Sequence, residues 1–190
     1  MVLPIVAYGD PVLKKRAEEI KENTGEVQQL ITDMYETMYN ANGVGLAAPQ
    51  VGKSIRLFVV DGSSFAEDED ESTHYMRDFK HVFINPAIEN EKGDEWGFNE
   101  GCLSIPGIRE EVFRREELTI RYLDEKFKEQ KKNFKGFAAR IIQHEFDHLE
   151  GKLFVEKINP LRRQLLKRKL DEISKGDVEV AYKMKFPKRR

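Results

Sequence analysis

With 190 residues, 39% hydrophobic and 35% charged, and a net charge of -2, the chain has the make-up of a soluble protein with enough apolar material for one buried core. No apolar run approaches the ~18 residues a bilayer span needs, which excludes a membrane role. The apolar start from Met1 to Tyr8 lacks a basic leader and is interrupted by Pro4, so the expected address is the cytoplasm.

A single catalytic domain over 1–190 is expected. Asp10-Pro11 reads as an N-cap followed by proline at the first helical position, opening a short helix toward Ile20. Asn23 and Glu26 have capping-box spacing, and Val27, Leu30, Ile31, Met34 and Met38 keep a helical period until Asn42-Gly43. The segment that follows, Gly43-Val44-Gly45-Leu46-Ala47-Ala48-Pro49-Gln50, has two glycines and lets the backbone come close to a ligand or another chain. It lacks the Gly-Lys-Ser/Thr ending of a phosphate-binding loop.

Ile55 to Val60, Val82 to Asn85 and Leu118 to Leu123 are β-branched or aromatic stretches between turn formers, and read as strands. The acidic run Glu67-Asp68-Glu69-Asp70-Glu71 reads as an exposed loop. The lone cysteine, Cys102, excludes an internal disulfide and leaves a thiol for core filling, nucleophilic attack or metal ligation. Its surroundings, Asn99 to Gly107, have the composition of a loop.

Gly136 through Leu149 contains no proline, Gly151 follows as a stop, and Phe137, Ile141, His144 and His148 recur on one apolar stripe. Within it His144-Glu145-Phe146-Asp147-His148 sets two imidazoles four positions apart, hence on one helix face, with a carboxylate directly after the first. A catalytic metal site needs a third protein ligand and an open fourth position, and Cys102 can complete a Cys-His-His set. Asn159-Pro160 then opens a helix with Leu161, Leu165, Leu166, Leu170 and Ile173 as its apolar residues. From Pro160 to Arg190 there are 11 Lys and Arg against 4 Asp and Glu, an excess of +7. This basic end suits solvent or an RNA surface such as the ribosome, and no DNA partner is expected. The order helix, strands, helix predicts an α+β fold, a mostly antiparallel sheet packed around the central HExxH helix with further helices toward both ends.

Taken in order, GVGLAAPQ at 43–50, EGCLS at 100–104 and QHEFDHLEG at 143–151, with Cys102 lying 42 positions before His144, resemble the three motifs of the peptide deformylase family. The resemblance runs from about Leu3 to Ile158. It implies removal of the formyl group from the N-terminal methionine of nascent polypeptides, with release of formate. It assigns Cys102, His144 and His148 to one divalent metal, Fe(II) by family expectation, with Zn(II), Ni(II) or Co(II) suiting the same donors. Glu145 is then the general base and acid for a water activated at the metal's fourth position, and Gln50 and the Leu103 N–H are the oxyanion donors. Gly43, Val44 and Gly45 would pair with the extended peptide, and Phe137 and Ile141, with Val44 opposite, would receive the methionine side chain. A C-terminal helix is associated in relatives with docking near the ribosomal exit tunnel. A peptidase cutting internal bonds leaves Cys102 unused, and a metal-stabilised ribosomal binding module needs a fourth ligand that is not evident.

Overall fold

The computed structural model describes residues 1–66 and 70–187. In chain order the regular elements are β1 (Ile5–Val6), α1 (Gly25–Asn40), β2 (Gly45–Ala47), β3 (Leu57–Asp61), β4 (Lys80–Cys102), β5 (Ile105–Leu123), β6 (Glu129–Lys135), α2 (Gly136–Leu149), α3 (Pro160–Leu165), α4 (Lys167–Lys175) and β7 (Met184–Lys185). Strands β2 to β6 form one antiparallel sheet in sequence order, and β1 pairs with β7 in a separate parallel ribbon. The α+β expectation therefore holds.

The helix expected from Asp10-Pro11 to Ile20 shrinks to a single 3-10 turn, Pro11–Lys14, capped by Asp10 Oδ1 accepting from the Val12 N–H at 3.0 Å. Beyond Lys15 the backbone finds distant partners, Ala17 N–H donating to Leu149 O at 2.8 Å and Glu18 N–H to Ser54 O at 2.9 Å. These tertiary bonds override a weak local helical preference. α1 starts one residue later than expected, because the extended Thr24, not Asn23, receives the Val27 N–H on its hydroxyl at 3.3 Å. Its buried face carries Ile31, Met34 and Met38, packed on Leu46, Leu57 and Val59.

The strands expected over 82–85 and 118–123 are parts of a much longer hairpin, β4 and β5, whose pairs run from Ile84↔Leu123 to Cys102↔Ile105. Part of β5 was hidden from a hydrophobicity pattern because its inward face alternates Ile108, Glu110, Val112 and Arg114 while Arg109, Glu111, Phe113 and Arg115 face solvent. β6, with the sequence EQKKNFK, shows no strand pattern at all. It is the outer edge of the sheet, where lysines discourage pairing with other chains.

α2 has the expected bounds and lies against β2, β3, β5 and β6, burying Ala138, Ala139, Ile141, Ile142 and Leu149. Gly151 follows in the left-handed region at φ +68, where an added Cβ would stand 2.5 Å from Lys14 O. The helix expected after Asn159 is two helices, broken at Leu166. Leu170 and Ile173 enter a core with Phe154 and Val155, whereas Leu161 and Leu165 stay 66% and 65% exposed. Of the acidic run, Glu67 to Glu69 lie outside the described residues, while Asp70 caps the 3-10 turn Glu71–Met76.

Candidate metal centre

Helical spacing sets His144 and His148 one turn apart on α2, with ring centroids 5.2 Å apart. The last residue of β4 meets them: Cys102 Sγ lies 3.4 Å from His148 Nε2, and one ligand atom from each of Cys102, His144 and His148 falls within 4.8 Å of the others. Cys102 is thus not on a loop, as its neighbours' composition suggests. It ends a strand and is fixed by the hairpin that closes at Ile105.

A thiol and two imidazoles suit a borderline divalent ion better than Mg(II) or Ca(II). The two rings sit in opposite electrostatic surroundings, those of His144 favouring a cation beside it and those of His148 a neutral ring. Burial opposes a proton on His144, but the Cys102 sulfur and the Glu100 carboxylate outweigh it and raise the imidazole pKa well above its ordinary value. Burial holds that of His148 well below it, the neutral form a metal ligand requires.

Glu145 projects from the turn between the two histidines into the same space. Burial pushes its carboxyl up to about 7, and its Oε2 has no hydrogen-bond partner among the described residues. Such an orphaned buried acceptor fits a group that works on a bound molecule. Gly45 makes the room for it, since a Cβ there would come within 2.8 Å of Glu145 Cδ. That glycine therefore serves the carboxylate as well as any peptide. Gln50 is oriented by accepting the Ala47 N–H on Oε1 at 2.9 Å, which aims its Nε2 at Cys102 Sγ, 3.4 Å away, and Ser104 Oγ, 3.3 Å away.

Pattern reading missed what holds His144. Its Nδ1 donates to Glu100 Oε2 at 2.9 Å, which leaves Nε2 as the free nitrogen. Glu100 is itself gripped by Arg114 through Nε at 2.6 Å and Nη2 at 2.9 Å, and by Arg140 Nη1 at 2.8 Å. Arg114 also reaches Asp147 Oδ2 at 2.8 Å, tying β5 to the same helix turn. Burial works against the Glu100 charge, yet these donors hold its pKa far below the usual carboxylate range. The signal for Glu100 is its place in EGCLS; Arg114 has none, because its inward direction is known only once the register of β5 is known.

Above these groups opens a cavity of about 620 Å³ whose lining brings together Gly43, Val44, Gly45, Phe137 and Ile141, and also Phe65 and Phe98. The Phe65 and Phe137 rings stack at 5.0 Å, and Phe98 meets Phe137 at 5.4 Å. Arg140 covers this aromatic group, its guanidinium 4.1 Å from the Trp96 ring centroid. A larger groove of about 970 Å³ around Arg56 and Phe146 contains none of the ligand candidates. No helix among the described residues is long and apolar enough to cross a membrane.

Residues 2–164 match the model of a family described as polypeptide deformylase. The chain is 53% identical to a peptide deformylase of Christiangramia forsetii, covering 98% of this chain and 97% of that one, and 50% identical to one of Flavobacterium psychrophilum over 100% of both. Among solved structures it resembles a peptide deformylase from Legionella pneumophila with a TM-score of 0.78 and 38% identity, over 93% of this chain and 98% of that one. It also resembles the enzyme from Thermotoga maritima with a TM-score of 0.74 and 37% identity, over 84% and 99%. Sequence and fold agree over nearly the full lengths compared, and the chain belongs to the polypeptide deformylase family, metalloenzymes whose known function is to remove the formyl group from N-terminal formyl-methionine.

Proposed function

We propose that this chain hydrolyses the formyl amide of N-terminal formyl-methionine on nascent polypeptides, releasing formate, with the span 1–190 acting as one catalytic unit. The observation that carries this reading is the meeting of Cys102, His144 and His148 beside the buried carboxyl of Glu145, whose Oε2 has no hydrogen-bond partner among the described residues. The three ligand candidates would hold one divalent ion, Fe(II) by family expectation and Zn(II), Ni(II) or Co(II) by the same donor chemistry. Bound there, the ion supplies Lewis acidity and lowers the pKa of water.

The other roles fall to side chains. Glu145 takes the proton of the attacking water on its carboxylate and passes it to the departing amine, a task matched to a pKa near neutrality. Gln50 Nε2 and the Leu103 N–H donate to the oxygen that gains charge as the formyl carbon becomes tetrahedral. Among the described residues β2 pairs on one side only, with β3, so its other edge beside Gly43 and Val44 is available to an extended peptide backbone. Such pairing ignores most side chains, as a substrate class of many sequences requires. Val44, Phe137 and Ile141, with Phe65 and Phe98, form the apolar surface for the methionine side chain.

For Cys102→Ala, we expect loss of the metal on dialysis together with turnover, read by metal analysis and formate release. For Gln50→Ala, metal is expected to stay while kcat falls by about 10²–10³, the usual effect of removing an oxyanion donor. The reading itself is tested by purifying the protein without oxygen and assaying formate release from a formyl-methionyl peptide against the same peptide unformylated. A metal-loaded protein that releases no formate would refute it. Nascent substrates suit a cytoplasmic address, and the basic face of α3 and α4, where Leu161 and Leu165 are exposed near Arg162, Arg163 and Arg168 in the chain, suits contact with the ribosome.

A further inference from the structure

The turn Leu103–Ser104 joins β4 to β5 and stands at the centre of the site, yet beyond the Cys102↔Ile105 pair it has no ladder to hold it. Three groups from outside do so. The Tyr8 N–H donates to Ser104 O at 2.8 Å, Gln50 Nε2 lies 3.3 Å from Ser104 Oγ, and the Tyr182 hydroxyl donates to Leu103 O at 2.7 Å. Two of the three are presented by the small parallel ribbon: Tyr8 follows β1 and Tyr182 precedes β7. The ribbon is closed by Ile5 N–H to Lys183 O and Ala7 N–H to Lys185 O, both at 2.9 Å.

Tyr182 packs with Leu103 in the cluster built on Leu46 and Leu57, and residues Glu179 to Tyr182 form one side of the cavity. Burial pushes its phenol up to about 12, so it donates throughout the neutral range. On the far side of the turn, Leu103 Cδ1 fits against Gly43, where a Cβ would approach it to 2.8 Å. The Leu103 carbonyl lies in the peptide plane that follows the one carrying the Leu103 N–H, and only the φ and ψ of Leu103 separate the two. Tying the carbonyl fixes the following plane and so narrows the range over which those two torsions can swing the N–H.

The geometry points to Tyr182 as a positioning residue of the catalytic site: by donating to the Leu103 carbonyl, it fixes the turn from which the Leu103 N–H and the Cys102 sulfur work. The idea rests on the deformylase reading for what the turn does, but not for how the turn is held. A buried tyrosine hydroxyl also seeks a partner simply because it is buried, so the test must separate placement from plain stability.

Tyr182→Phe removes the hydroxyl and keeps the ring. In the full-length, metal-loaded protein the expected result is a fall in kcat of about tenfold with KM for a formyl-methionyl dipeptide changed by less than about twofold. Metal content and Tm stay as in wild type. Hydrogen exchange at the Leu103 and Ser104 amides becomes faster, with and without metal, while the α2 amides keep their rates. A change in only one of the two measurements, kinetics or local exchange, overturns the proposal. So does faster exchange spread over the whole chain with a lowered Tm, which makes the hydroxyl a general stabiliser. A wild-type protein that releases no formate sinks the deformylase reading separately, and the exchange rates at Leu103 and Ser104 then still decide whether Tyr182 clamps the turn.

Discussion

Glu145→Gln should retain its metal and its fold and lose turnover by about 10⁴, the upper end of what a positioned acid–base group contributes, because in the proposed mechanism one carboxyl serves both proton transfers. The amide has the size of the carboxyl, so the close fit against Gly45 survives and the three ligand side chains are untouched. What disappears is the ability to take up and return a proton. Stability should stay close to that of wild type, since the replacement exchanges a buried acid for a neutral amide of the same size in the same surroundings. Formate release, metal analysis and thermal unfolding on one preparation check all three statements. Turnover within tenfold of wild type would show that the proton moves elsewhere.

Arg114→Met is expected to act on stability first. Arg114 and Glu100 are both about 5% exposed, so the substitution leaves Glu100 short of a counter-charge out of reach of water, while the more exposed Asp147 keeps Lys157 at 3.5 Å. Breaking a buried pair in this one-sided way costs about 3–5 kcal/mol, and the remaining bond from Arg140 to Glu100 argues for the lower end. In a chain of this length that is a Tm lower by roughly 10 °C, checked by calorimetry or urea titration. By contrast, removing the exposed helical pair Arg168–Glu172 should change stability by less than about 0.5 kcal/mol. A secondary loss of activity should follow in Arg114→Met, because Glu100 orients His144; a variant as stable as wild type would show that the network matters little to the fold.

α2 and its chemistry were legible because three signals coincide there: a helical period, a glycine stop and two histidines at a spacing that only a helix makes useful. Cys102 was legible as a candidate through its singularity, although its strand was not, since the residues of β4 that lead to it, Gly97, Asn99, Glu100 and Gly101, have the composition of a loop. Charged groups on a buried face defeat a reading by hydrophobicity, and their partners lie on other elements: buried Arg114 to buried Glu100 across β5 and β4, and Glu110 to the exposed Arg162 across β5 and α3. The segment from Pro11 to Ile20 failed for the opposite reason. Its start signal, Asp10-Pro11, was good and its helical preference weak, and Leu149 and Ser54 supply backbone partners that no nearby residue announces. The same holds for the tail, whose Met184–Lys185 pairing partner stands at the other end of the chain.

That last pairing bears on how the protein comes into being. A ribosome adding about 5–20 residues each second needs on the order of 10–40 s to travel from Ile5 to Lys185, and through all that time the β1 edge is without the strand it will pair with. Closing so long a loop is also entropically slow after release. The ribbon should therefore be among the last parts to assemble, and a newly made molecule should pass through an interval in which its core has formed but its catalytic turn is still loose.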